Sequence, residues 1–227
     1  MPNTVATPPR RAASLTRDAI IDAAIALLDA DGEGGLTFRA LASRLATGAG
    51  AIYWHVASKD DLFTAASDAI VARALQGVPQ ESTPQACIRA VALSIFGAMD
   101  AHPWLGTALS RAPGQLPTVR ILERLGRQVD ALGVPQEQQW MAACALLNYL
   151  LGVSAQNAAN AVHARGAGLE RAHFLDGMAA TWSRLDAQAF PFARKVAGQL
   201  RGHDDRADFL AGIDLIVRGM QALQAER

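Results

Sequence analysis

Tyr53, Trp54 and His55 stand in a row, and Lys59 follows one helical turn later. A phenol, an imidazole and an ammonium at this spacing can donate hydrogen bonds to phosphate oxygens or to base edges. Lys59 falls at the start of a helix, where free backbone N–H groups also favour a phosphate. On the helix before, Arg39 is read as the side chain able to grip a guanine with two hydrogen bonds. The competing reading is that a Tyr-Trp-His run is merely core plus surface of an ordinary helix. Spacing decides between them, so the surrounding elements matter.

Catalytic chemistry finds little support. There is no H-E-x-x-H, G-x-S-x-G, phosphate-binding glycine loop or C-x-x-C pair. Gly48-x-Gly50 lacks both a preceding strand and a third glycine. The five histidines, at 55, 102, 163, 173 and 203, are scattered, and His163 is open to either a pocket or solvent. Cys87 and Cys144 sit far apart in apolar helical surroundings and read as reduced thiols. The expectation is a protein that is not an enzyme, with no cofactor and no metal.

Three hydroxyl residues mark helix starts in the first half. Thr16 precedes Asp18 and the apolar stripe Ile20, Ala24, Leu27 and Leu28, which runs into the glycines at 32, 34 and 35. Thr37 opens a short helix to about Leu45, with Leu41 and Leu45 facing inward. A break at Ala46-Thr47 leads to a very short helix over 48–55, anchored by Ile52 and Val56. Ser58 then caps a helix that runs toward Gly77. Two short helices around a tight turn, behind a longer supporting helix, have the form of a helix-turn-helix over 37–56.

The remainder is also helical. Alternating β-branched runs are absent, and alanine and leucine recur at helical spacing, so the fold class is all-α. Thr83-Pro84 starts a helix to His102, 104–111 and 116–132 follow, and Pro135 opens a long helix to about Arg165. Helices over 170–187 and 190–200 precede a final one carrying Phe209, Ile213, Ile216, Met220 and Leu223. The domains predicted are a basic arm over 1–14, a helix-turn-helix domain over 15–62 and a ligand-binding and dimerisation domain over 63–227. The arm, with Arg10, Arg11 and Arg17 near it, reads either as a phosphate-following strand of chain or as a plain terminus.

Composition bounds the setting. Hydrophobic residues make up 51% and charged ones 19%, and the 21 basic residues balance the 21 acidic ones. A net charge of zero does not exclude nucleic acid, because the placement of basic groups decides. So few charges on so apolar a chain suggest surface covered by a second copy. The N-terminus has no apolar signal stretch and no apolar run is long enough to span a bilayer, so a cytoplasmic location is expected.

Residues 36–42, from Leu36 to Ala42, and the run Ile52-Tyr53-Trp54-His55-Val56-x-Ser58-Lys59-Asp60-x-Leu62 resemble the TetR family signature over 15–65. Phe209 to Asp214, with Gly219, resembles the final helix of the branch that includes the tetracycline repressors. That resemblance implies a homodimeric, ligand-released repressor bound to double-stranded DNA. Arg39, Thr47, Ala49, Gly50, Ala51, Tyr53, His55 and Lys59 would then face the DNA. The chain departs from the pattern at the reading edge. Gly48-Ala49-Gly50-Ala51 carries no hydrogen-bonding side chain, and the usual glycine of the turn is Ala46. Thymine methyls against Ala49 or Ala51, Arg39 and DNA shape would therefore supply the specificity.

The resemblance also implies a small-molecule effector held between helices, with dimerisation through 135–165 and 206–225 as a four-helix bundle. The lining expected for the effector is Phe96, Met99, Trp104, Leu122, Trp140, Met141 and Asn148, each of which reads equally well as ordinary core. The low charge of these stretches favours an apolar or aromatic molecule. The tetracycline repressors' magnesium-binding arrangement is not recognisable, so neither tetracycline nor a metal is expected. Two other classes stay open: a helical scaffold whose helix-turn-helix is structural, and an all-α enzyme.

Overall fold

Local hydrogen bonding sets where the helices of the first half begin. In the computed structural model, which describes residues 15–78, 83–111, 114–166, 168 and 170–225, Thr16 Oγ1 accepts from the Ala19 N–H at 3.2 Å. Thr37 Oγ1 accepts from Ala40 at 3.1 Å, and Ser58 Oγ from Asp61 at 3.0 Å. Each side chain satisfies an N–H that has no partner inside its own helix. Among the described residues every regular element is helical. The proposed arm over 1–14 lies outside the described residues.

The chain divides into two compact units, Met1–Leu62 and Phe63–Arg227. The first holds α1 (Arg17–Gly35), α2 (Phe38–Arg44), α3 (Ala49–Tyr53) and the start of α4 (Lys59–Gln76). The glycine-rich end of α1 does not stop the helix outright. It kinks at Gly32, whose φ of +64° suits a residue without Cβ. Ile20, Ala24 and Leu28 of α1 are buried, as are Leu41 of α2 and Ile52 and Val56 at α3. Each of these isoleucine, leucine and valine side chains contributes about 1.5–3 kcal/mol on leaving water. Leu45 is only half-buried, so Leu41 alone carries the inward face of α2.

The second unit comprises the rest of α4, then α5 (Pro84–Ala101), α6 (Trp104–Arg111), α7 (Leu116–Ala131), α8 (Gln136–Gly166), α9 (Arg171–Ser183), α10 (Pro191–Val196), a 3₁₀ segment (Ala197–Gly202) and α11 (Asp205–Ala225). The long α8 is its spine, packing on α5, α6, α7 and α11. Its core is aliphatic, as the composition requires: Ile88, Ile95, Ile121, Leu125, Leu146 and Leu150 are buried. The buried stripe of α11 is Phe209, Ile213, Val217 and Met220. The expected Ile216 is only partly covered. The buried spacing is thus four, four and three rather than four, three and four, which still keeps to one face of the helix.

Two contacts lock α11 in place. Arg89 of α5 forms an ion pair with Asp214. A Cβ at Gly212 would lie 1.8 Å from the hydroxyl oxygen of Tyr149 on α8, so the two helices approach this closely only because residue 212 has no side chain. The last expected helix boundary also shifts. α9 ends at Ser183 rather than near 187, because the Asp186 carboxylate accepts from the N–H groups of Gln188 and Ala189 and turns the chain.

Candidate nucleic-acid interface and cavity

Five residues make a helix too short to hold itself, so α3 depends on its neighbours. Ile52 and Val56 anchor it from below, at 0% and 4% exposure. The ring of Phe38 on α2 stacks on Tyr53, with centroids 4.2 Å apart and planes 19° apart. Tyr53 nonetheless remains 54% exposed, so its hydroxyl end is available beyond the stack. Trp54 is 90% exposed at the end of α3. A bare indole of that size is unusual on a protein surface, and the sequence reading did not single it out as a site. Its place between an anchored Ile52 and Val56 was the available signal.

The other expected interface residues fall on the same short stretch. Arg39 is exposed on α2, and Ala49 and Gly50 are exposed on α3. Thr47, Ala51 and His55 are partly covered. Arg44 is a second exposed guanidinium on α2, so Arg39 is not alone on that helix. Lys59 is placed differently from expectation: its ammonium donates to the carbonyl of Glu33 at 2.9 Å. That bond ties the start of α4 to the end of α1 and leaves two of the three ammonium hydrogens for other acceptors.

The turn between α2 and α3 is strained. Ala46 has a φ of +49°, the only non-glycine residue with positive φ among the described residues. A side chain there costs about 1–2 kcal/mol relative to the usual helical backbone. The departure from glycine noted in the sequence is therefore a real structural cost.

The second unit contains two adjoining hollows between α5, α8, α9 and α11, of about 600 and 330 Å³. Phe96 lines the larger one. The other six residues expected at a cavity fall elsewhere. Met99 and Trp104 are buried in the core, and Leu122 is half-covered on α7. Trp140 and Met141 are 72% and 56% exposed, and Asn148 is exposed beside them on α8. The hollows instead draw on residues of α9, the loop at His203 and the start of α11, which the sequence reading passed over.

Polar groups line both hollows. Arg171 pairs with Asp205 at 2.7 Å, and His203 Nε2 lies 3.0 Å from the same carboxylate. The other ring nitrogen of His203 contacts Asp208. The Tyr149 hydroxyl donates to the Phe209 carbonyl at 3.2 Å. Burial, and next the nearby Asp208 carboxylate, push the Tyr149 pKa up, so it stays a donor. Asn157 lines both hollows, and its amide nitrogen is buried with no hydrogen-bond partner. Among the described residues no cluster of three or more metal-ligating side chains occurs, and no helix is long and apolar enough to cross a membrane.

Known proteins share this architecture. Residues 20–66 match the bacterial regulatory proteins of the tetR family, and residues 77–224 match the tetracyclin repressor-like C-terminal domain. An HTH-type transcriptional regulator of Saccharopolyspora erythraea is 32% identical over 212 residues, 92% of this chain and 85% of that protein. A TetR transcriptional regulator of Streptomyces coelicolor superposes with a TM-score of 0.83 at 49% identity, covering 92% of this chain and 99% of the other. ActR of the same organism, solved with actinorhodin, has the same fold at 24% identity and a TM-score of 0.75, covering 92% and 97%. An exposed α3 held by a buried base, a separate helical unit with a cavity, and these matches over both units together establish that the chain belongs to the TetR family of bacterial transcriptional regulators, which are DNA-binding proteins and not enzymes.

Proposed function

We propose that the protein is a repressor that binds a palindromic operator as a homodimer and releases it when a small aromatic molecule occupies the second unit. The observation that carries the DNA reading is the contrast at α3: Ile52 is fully buried while Trp54 is bare and Tyr53 more than half exposed. A purely structural helix-turn-helix has no need to expose two large aromatics side by side. Arg39, Thr47, Ala49, Gly50, Ala51, Tyr53, His55 and Lys59 form the proposed DNA face, with Trp54 and Arg44 added to it. Because α3 carries alanine and glycine where many readers carry amides, specificity rests on Arg39 and Arg44, on thymine methyls and on DNA shape.

Dimerisation is supported by what α8 and α11 leave bare. Trp140, Met141 and Val162 on α8 are 72%, 56% and 49% exposed, and Leu215 on α11 is 66% exposed. Apolar side chains in that number on two long helices suit a four-helix bundle with a second copy. Two reading heads would then address half-sites one helical turn apart, about 34–36 Å.

Release is a population shift. The effector must bind the non-binding arrangement of the dimer more tightly than the DNA-bound one, by roughly 5.5 kcal/mol for a complete switch. The helix α4 has residues in both units and is the proposed connection. ActR, solved in complex with actinorhodin, is a precedent for a bound ligand within this fold. Footprinting on the DNA upstream of the protein's own gene tests the proposal. A protected palindrome with half-site centres one turn apart supports it, and no protected site at low salt overturns it.

A further inference from the structure

The hollows in the second unit carry chemistry that narrows the ligand. A column of stacked rings runs along them: Phe96 on Phe209 with centroids 4.7 Å apart, and Phe209 on Tyr149 at 5.8 Å with planes only 7° apart. Phe96 lines the larger hollow, and Tyr149 and Phe209 line the smaller. A flat aromatic guest extends such a column by offset stacking. Together the hollows are of the size that holds a small organic molecule.

Most charged groups around them are already engaged. Arg171 is held by Asp205, and His203 lies between Asp205 and Asp208. Asp204 accepts from the N–H groups of Arg206 and Ala207. Four carboxylates, Asp100, Asp204, Asp205 and Asp208, stand on the lining against the two guanidinium groups of Arg171 and Arg206. An acidic guest is therefore repelled.

Asn157 differs from all of these. Its carboxamide makes no hydrogen bond to any described residue, and its nitrogen is covered where it stands. Buried polar groups are almost always partnered. Half a turn about the last side-chain torsion exchanges the nitrogen and oxygen without breaking any hydrogen bond, and that torsion is broad for asparagine. Because Asn157 lines both hollows, that exchange can turn the NH₂ group toward an oxygen placed there.

We infer that this cavity takes an uncharged aromatic molecule bearing a carbonyl oxygen, stacked along the ring column and hydrogen-bonded by the Asn157 carboxamide. The inference rests on the proposal that the second unit holds the effector, and it fixes the class of that effector.

The test uses the full-length protein without DNA and three probes that share one ring frame: 9-fluorenone, fluorene and 9-fluorenone-2-carboxylate. Affinities are read by quenching of tryptophan fluorescence. The expected result is that the ratio of fluorenone to fluorene affinity falls about tenfold in Asn157→Leu, the scale of one neutral hydrogen bond. The isosteric Asn157→Asp, which has no donor at neutral pH, gives the same fall should the leucine variant fail to fold. The carboxylate binds more weakly than the ketone. A ratio unchanged in the folded variants, no binding of fluorenone, or tighter binding of the carboxylate overturns the inference. A protein that footprints DNA yet fails here loses only the ligand assignment. One that passes here yet protects no DNA loses only the repressor reading.

Discussion

The rings of Phe38 and Tyr53 are stacked across the turn between α2 and α3, 4.2 Å centroid to centroid. This contact ties α3 to α2 while more than half of Tyr53 stays exposed. Ring and hydroxyl separate by mutation. Tyr53→Phe keeps the ring and removes only the hydroxyl, so stability should change by less than about 0.5 kcal/mol while operator affinity falls about tenfold. Phe38→Ala should lower both, with a loss of about 1–2 kcal/mol in stability for the missing stack and its buried area. Urea denaturation and a gel shift on the footprinted DNA measure the two effects. Equal operator affinity for Tyr53→Phe and the parent would remove the hydroxyl from the interface.

Ala46 offers a gain rather than a loss. Its φ of +49° suits glycine, which enters that region without strain. Ala46→Gly should raise stability by about 0.5–1 kcal/mol, the relief of strain less the extra freedom glycine has when unfolded. The operator footprint should stay in register. A lower urea midpoint for the glycine variant would show that the turn is not the strained point.

Leu215 tests the assembly. It is 66% exposed at the middle of α11, on the helix proposed to pair with its copy. Leu215→Glu would put two like charges, one from each copy, into or beside a bundle core that Leu215 otherwise supplies with apolar contact, and this opposes pairing. Light scattering should then report a monomer at micromolar concentration, and operator binding should be lost although the helical content is kept. A variant that stays dimeric would move the interface elsewhere.

The Asp204 carboxylate gives a test by pH. Asp204 caps α11, and the N–H of Ala207 foremost, with that of Arg206 and the charges of Arg171 and His203, holds its pKa below the usual 3.8. A depressed folded-state value means that the stabilisation is present above the unfolded value and fades as pH falls through the folded one. The parent should therefore outlast Asp204→Asn at neutral pH and lose that advantage below pH 3.8, because asparagine caps about as well but carries no charge. Thermal melts from pH 7 downward check this. A difference between parent and variant that is constant with pH would contradict it.

What the sequence showed and what it hid follow from the range of the interactions. Thr16, Thr37, Ser58 and Thr83 were readable as helix starts because a cap bonds only three residues ahead. Ile52 and Val56 were readable as anchors because a one-turn helix has one inward face. Val217 was missed in favour of Ile216, since the buried face of α11 depends on helices far away in the chain. The same limit hid the lining of the two hollows, of which the sequence marked only Phe96. Periodicity marks Trp140 and Met141 as apolar but not the side of α8 they occupy. The Arg171–Asp205–His203 group draws together α9, a loop and α11 without any motif. The bond from Lys59 to the Glu33 carbonyl was equally hidden, because a backbone acceptor leaves no mark in the residue types.

The account depends most on α3 and its neighbours binding DNA. Fluorescence anisotropy on the footprinted duplex, titrated across salt concentrations, addresses that claim most directly. Two heads that together neutralise about four or more phosphates predict a slope of log affinity against log salt of about −4 or steeper. A scrambled duplex of equal length should bind at least about a thousandfold more weakly at moderate salt. Affinity independent of salt, or equal for the two duplexes, would contradict the account.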